Sequence, residues 1–244
     1  MARTALKPAA CALALLIVAP AAATPPDIVD LHDELFGIGL EEVLVLRTVT
    51  DNMGLHATGL STVFLAAIDG ATGEETLWPL YRARFAPDHD RDPTGNTMGI
   101  ETWPLTDPAD PFAILTERKV VPAGTAGLLW PQAGTVTVTL DAEGLSVSHD
   151  DGASFHLPAP QLAEILERTT GQLAELAQPY SRPNTLTLAD LLAGRDIAPD
   201  GCTASEDALL RFPAQTAPIQ LVRITCGDPE EDFTLSRLVV VPQG

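Results

Sequence analysis

The sequence has few basic residues for its length, and this shortage argues against polyanionic partners. Its 244 residues contain 14 lysines and arginines against 33 aspartates and glutamates, so the formal net charge is −19. Nucleic acids and anionic membrane surfaces are bound mainly through lysines and arginines that neutralise phosphate. We therefore expect neither of these partners, and the sequence leaves a protein or small-molecule ligand of unknown identity.

Long apolar runs are also missing. The apolar stretch near the N-terminus has about 13 residues, and no later stretch reaches the roughly 20 that a membrane-spanning helix needs. Arg3 and Lys7 begin this N-terminal segment, and Ala21 and Ala23 end it as an A-x-A cleavage site. The arrangement predicts that residues 1–23 are a cleaved signal peptide. The mature protein is then periplasmic or secreted, with no membrane span and a net charge of about −21.

Cysteine is rare, with three residues in the whole chain. Cys11 lies in the predicted signal peptide, so the mature chain keeps Cys202 and Cys226. An isolated pair in an oxidising compartment usually forms a disulfide, and this pair lacks the C-x-x-C spacing of redox sites. We therefore predict a structural disulfide between Cys202 and Cys226.

The motifs of common catalytic and nucleotide-binding sites are absent as well. The sequence contains no G-x-S-x-G, no H-E-x-x-H and no phosphate-binding glycine loop. Its many acids could still supply a carboxylate pair of the kind glycosidases use, because sequence spacing does not give the separation in space. The catalytic residues are therefore unknown. We expect a non-catalytic binding or interaction protein of the cell envelope, with an envelope hydrolase using carboxylate or His/Ser chemistry as an alternative.

One acidic loop is a candidate for metal binding. Asp88, Asp90 and Asp92 alternate along residues 88–96, and alternating carboxylates can converge as hard oxygen ligands for calcium. Pro93 and Gly99 stand where a calcium loop of the EF-hand type needs glycine and glutamate. A solvated acidic turn is therefore the favoured interpretation, and a calcium-dependent structural or adhesive protein is a further alternative. No other cofactor is expected.

The apolar patterns predict an α+β fold in one domain over residues 24–244, with 180–185 as the position of any boundary. Helical spacing predicts a short N-terminal helix at 27–36 and a long amphipathic helix at about 160–178. Short apolar runs predict a mostly antiparallel sheet and a C-terminal β-hairpin. The predicted strands include 41–50, 60–68, 76–85, 112–118, 219–226 and 233–242.

A three-stranded meander is predicted over residues 135–157. The turn Asp150-Asp151-Gly152 suits a three-residue hairpin loop, which pairs Val147 with Phe155. This register places Leu145, Val147, Phe155 and Leu157 on one buried face. It also places His149 and His156 on opposite faces, so we do not expect these two histidines to share a metal ion.

Overall fold

The computed structural model describes residues 29–51, 59–94, 97–102, 108–123, 134–177, 202–210, 218–228 and 233–243. Most of these residues lie in strands. Within them the strands are β1 (Val29–Ile38), β2 (Glu42–Asp51), β3 (Gly59–Asp69), β4 (Glu75–Pro87), β5 (Met98–Thr102), β6 (Val121–Pro122), β7 (Val136–Asp141), β8 (Gly144–His149), β9 (Ser154–Pro158), β10 (Cys202–Leu210), β11 (Ile219–Asp228) and β12 (Phe233–Val241). The helices are α1 (Pro111–Glu117) and α2 (Ala159–Ala177).

The strands form one large sheet and one small sheet. The large sheet has the order β10-β11-β12-β1-β2-β3-β4-β5, with β6 also paired to β1, and the small sheet has the order β7-β8-β9. The pairing of β1 with β12 is parallel, whereas the other pairings are antiparallel. This parallel pairing ends at His32 and Ser236. The large sheet therefore forks where β1 and β12 separate.

The small sheet and α2 cover one face of the large sheet. Phe155 of β9 and Leu162 of α2 belong to the same buried cluster as Leu31 of β1 and Val222 of β11. Beyond the fork, a second buried cluster joins residues of β1–β3 to residues of β10–β12. The fold is therefore layered, and burial of these apolar side chains is its main source of stability.

Helix α1 covers part of the other face of the large sheet. Ile114 and Leu115 pack against Leu44 of β2 and Leu65 of β3. The helix begins at Asp110, whose carboxylate accepts hydrogen bonds from the backbone of residues 112 and 113. Among the described residues, neither helix is long and apolar enough to cross a membrane.

The predicted α+β class is wrong, because the described chain is mostly β with two sheets and two helices. A helix does occupy Ala159–Ala177, close to the predicted 160–178, and its Leu162, Ile165 and Leu166 are buried as expected. One such helix does not change the class of a fold in which the described residues form twelve strands. The proposed boundary at 180–185 and the signal peptide lie outside the described residues and stay predictions.

The predicted N-terminal helix at 27–36 is also wrong, because this segment forms β1. Leu31 and Asp33 are buried, whereas the alternating residues Asp30, His32 and Glu34 are exposed. The segment therefore has the two-residue period of a strand. The charged Asp33 occupies an inward position, which hides that period when only apolar residues are counted.

The strand predicted at 112–118 is the helix α1. A short apolar run does not by itself distinguish a strand from a buried helix segment. Asp110 as N-cap and Pro111 in the first turn favour the start of a helix at this position.

The meander and the C-terminal hairpin are confirmed. Val147 pairs with Phe155, and His149 N–H donates to the carbonyl of Ala153, as the three-residue turn requires. The four residues predicted for the inner face are all buried. Strands β11 and β12 form the predicted hairpin.

Candidate functional site

The candidate calcium loop at residues 88–96 follows β4 directly, and two of its carboxylates accept hydrogen bonds from the loop's own backbone. Asp88 accepts a hydrogen bond from Arg91 N–H at 3.1 Å, and Asp92 accepts hydrogen bonds from the N–H groups of Thr94 and Thr97. Asp90 is exposed. No group of three acidic, histidine or cysteine side chains arranged to hold a metal ion occurs in the described part of the chain, which omits residues 95 and 96 of this loop. Calcium binding by this loop stays the alternative hypothesis to a solvated acidic turn.

The histidines of the meander lie apart, as expected. His149 is on the inner face, where its Nε2 is 2.9 Å from Oε1 of Gln220 and its ring packs on Phe155. His156 is on the outer face, with Nδ1 2.9 Å from Oγ of Ser146. The Ser146–His156 pair is the one described contact that resembles a nucleophile with its base, but it lies on an exposed sheet face.

The predicted disulfide is confirmed. Cys202 of β10 and Cys226 of β11 stand directly opposite each other, and the structure joins their sulfur atoms. Cys226 belongs to the buried cluster that contains Leu31, Phe155 and Leu162, and Cys202 packs against that cluster. The bond therefore links the edge strand β10 to the core.

Four charged residues, which the sequence analysis did not identify, form a buried network at the fork of the large sheet. Arg47 donates through Nε and Nη2 to the two carboxylate oxygens of Asp33, at 2.7 and 2.8 Å. Its Nη1 also donates to Oε2 of Glu75 at 2.9 Å, and Arg237 donates to Oε1 of the same carboxylate. These side chains are at most 2% exposed. Two positive and two negative charges therefore neutralise each other inside the protein.

The network also closes the gap that the separating strands leave. The N–H of Leu238, just past the last β1–β12 pair, donates to Asp33 Oδ2 at 3.2 Å. Arg223 donates to the backbone carbonyl of Asp33 at 2.9 Å, and Arg237 donates to the carbonyl of Ile165 in α2 at 2.7 Å. The side chains of Asp33 and Arg223 thus satisfy two strand backbone groups, as buried polar groups require, and Arg237 ties the network to α2.

The two arginines of the network hold the Glu75 carboxylate ionised. Burial raises the pKa of Glu75, but the positive charges of Arg237 and Arg47 outweigh burial and lower that pKa to about 2. Burial alone would lower the pKa of Arg47, and the charges of Asp33 and Glu75 raise it instead. Asp33 and Glu75 are also closed off from solvent. This pair of acids is therefore structural and unsuited to general acid–base chemistry on a substrate.

A second feature that the sequence analysis missed is an apolar surface at the end of the large sheet. Phe85 of β4 stands opposite Ile100 of β5, and Tyr81 and Met98 lie on the same face. Ile100 is 67% exposed, Met98 47% and Tyr81 42%, and Phe85 is half-buried. We call Tyr81, Phe85, Met98 and Ile100 the β4–β5 patch.

The β4–β5 patch lies on the last two strands of the sheet. No described strand pairs with the outer edge of β5. Helix α1 covers the same face nearer to Leu65 and Trp78, but the patch itself stays exposed. Apolar side chains that gather at an open sheet edge are a common feature of protein-binding surfaces, and otherwise an aggregation hazard.

Comparison with known proteins found no match: no family model fits the sequence, and no curated protein and no solved structure is similar to it.

Proposed function

We propose that this chain is an exported, non-catalytic binding protein, and that its partner is a protein that docks on the β4–β5 patch. The observation that carries the proposal is the exposure of Met98 and Ile100 on a sheet edge that no described strand covers. The N-terminal pattern and the Cys202–Cys226 disulfide support an oxidising, exported location.

The buried network supports a binding role for the same sheet. It joins β1, β2 and β12 to Glu75, the first residue of β4, and the β3–β4 pairing continues from there to the stretch of β4 that pairs with β5. A rigid surface loses little conformational entropy when a partner binds. The sheet therefore suits recognition without rearrangement.

Site-specific photo-cross-linking tests this proposal. We would place a benzophenone amino acid at Ile100 and, as a control, at Ser154, which is exposed on the small sheet. Irradiation of living cells should give one recurrent protein adduct from position 100 and none from position 154. The same weak adducts from both positions, or no adduct at position 100, would contradict the proposal.

The hydrolase alternative rests on one observation, the Ser146–His156 contact at 2.9 Å. A fluorophosphonate probe labels a serine that a neighbouring base activates. We expect no labelling of the purified protein, because no carboxylate orients His156 among the described residues and the pair lies on an open face. Labelling that Ser146→Ala abolishes would favour the hydrolase.

A further inference from the structure

The backbone of β5 presents hydrogen-bonding groups to its outer edge. Asp88 N–H donates to the carbonyl of Thr97 at 2.8 Å, so this pair is hydrogen-bonded across the hairpin. Bonded and non-bonded pairs alternate in an antiparallel ladder, and the register continues without a bulge through Met98, Ile100 and Thr102. These three residues therefore occupy non-bonded positions. Their N–H and C=O groups point away from β4.

Pro87 agrees with this assignment. It stands opposite Met98 and has no N–H to donate, which suits a position that needs no hydrogen bond to β5. The outer edge of β5 thus offers three donors and three acceptors over five residues. An extended chain of about five residues could satisfy all of them by adding one strand to the sheet.

The side chains around this edge define what such a strand should contain. Met98 and Ile100 lie on one face, which favours apolar residues at alternate positions of the added strand. Glu101 lies on the other face and is exposed, and its Oε2 atom is 3.8 Å from Nη1 of Arg84. A positive residue next to Glu101 would gain a favourable cross-strand contact.

The charges of the whole hairpin favour the same partner. Its described residues from 84 to 102 contain four acids and two arginines, and the chain as a whole carries a net charge of −19. The acids are Asp88, Asp90, Asp92 and Glu101. A second copy would bring the same negative charge to the edge, so like-charge repulsion disfavours pairing of β5 with itself.

We propose that β5 binds an extended, basic segment of another protein by β-strand addition, with apolar and basic residues alternating along the segment. This inference rests on the proposed function, since it gives the binding mode and the partner chemistry of the same β4–β5 patch.

A peptide of sequence KVRVKVR, labelled with a fluorophore, is the probe. Fluorescence anisotropy with the full mature chain should show saturable binding that weakens with added salt, because part of the attraction is electrostatic. The acidic peptide EVEVEVE should not bind. Two further peptides carry N-methyl groups on alternate residues, in the two possible phases. Only one phase removes the N–H groups that face β5, so only one should lose binding.

Two variants at one position separate backbone pairing from side-chain contact. Ile100→Pro removes an outward N–H without removing a hydrogen bond to β4, and proline is tolerated on edge strands. Ile100→Ala keeps the N–H and removes the apolar side chain. We expect Ile100→Pro to weaken binding about tenfold more than Ile100→Ala. A tenfold loss of affinity is roughly what the loss of one backbone hydrogen bond between β5 and the peptide should cause. Thermal unfolding of both variants would confirm that the fold is intact.

Several outcomes would overturn the inference. These are an absence of peptide binding, equal affinities for the two variants, or equal binding of both N-methylated peptides. A dimer in sedimentation experiments that Ile100→Pro abolishes would identify a second copy as the occupant instead. Adducts from position 100 without peptide binding would leave the proposed function standing and remove only this binding mode.

Discussion

Glu75 is a buried carboxylate between two buried arginines, and its pKa makes stability depend on pH. Its folded pKa of about 2 lies below the ordinary value of 4.5, because Arg237 and Arg47 outweigh the effect of burial. A depressed carboxylate pKa contributes stability that is fully present above pH 4.5 and is lost as pH falls toward 2. The expected loss is about 3 kcal/mol from this group. Denaturant unfolding at a series of pH values measures it.

Glu75→Gln tests whether that loss comes from the buried network. The substitution leaves two buried arginines with one carboxylate, so we expect a destabilisation of about 3–5 kcal/mol at pH 7 and a flatter pH dependence below 4.5. Glu74→Gln is the matched control, because Glu74 is the exposed neighbour. Equal stability of the two variants would show that the network does not contribute as described.

Gly144 occupies a backbone conformation that only glycine fits. Its φ is +132°, and a Cβ there would collide with the carbonyl oxygen of Leu157 and lie 2.6 Å from the N atom of Ala159. Gly152 also has a positive φ, +91°, but a Cβ there would meet no atom within 4 Å. We expect Gly152→Ala to cost about 1–2 kcal/mol and Gly144→Ala roughly 3 kcal/mol or more. Similar unfolding free energies for the two variants would contradict the collision.

Sequence patterns predicted the residues whose role follows from their neighbours in the chain, and missed those whose partners are distant. The Val147–Phe155 register follows from one turn and one apolar alternation. Asp33 and Arg47 instead pair across strands and need Glu75 and Arg237 from further away, so nothing local marks them as buried. The sign of such a residue in the sequence is a charge at a position that faces inward in a strand. That sign can be recognised only once the segment is known to be a strand.

At the scale of elements, the Cys202–Cys226 disulfide joins β10 to β11 and closes a loop with a sequence separation of 24. Closing such a loop restricts the unfolded chain by about 3.5 kcal/mol in the chain-entropy model. The double variant Cys202→Ser and Cys226→Ser should lose about that much stability in urea unfolding. Reductant should destabilise the natural sequence and leave the double variant unchanged. A natural sequence insensitive to reductant would contradict this contribution.

Strand β5 shows why an element can escape prediction from sequence. It has five residues, one of them glycine, and its apolar side chains face solvent, so it lacks the apolar-in, polar-out alternation of a half-buried strand. The strand forms because β4 provides a long edge on which it can pair. Because its apolar side chains are exposed, β5 could not be predicted from an alternating pattern, and the same exposure makes it the candidate binding edge.

At the scale of the whole molecule, the predicted export would supply the oxidising compartment for the disulfide, and the proposed function includes it. In a bacterial host, we expect the exported protein to begin at Thr24, because cleavage after Ala23 follows the A-x-A rule. Intact mass spectrometry of the periplasmic and secreted fractions would show the loss of residues 1–23 and of two hydrogens for the disulfide. A chain that starts at residue 24 behind a new Met is the control, and it should stay in the cytoplasm with reduced cysteines. Recovery of the full-length protein with Met1 from the cytoplasm alone would contradict export and would remove the oxidising environment that the Cys202–Cys226 pair requires.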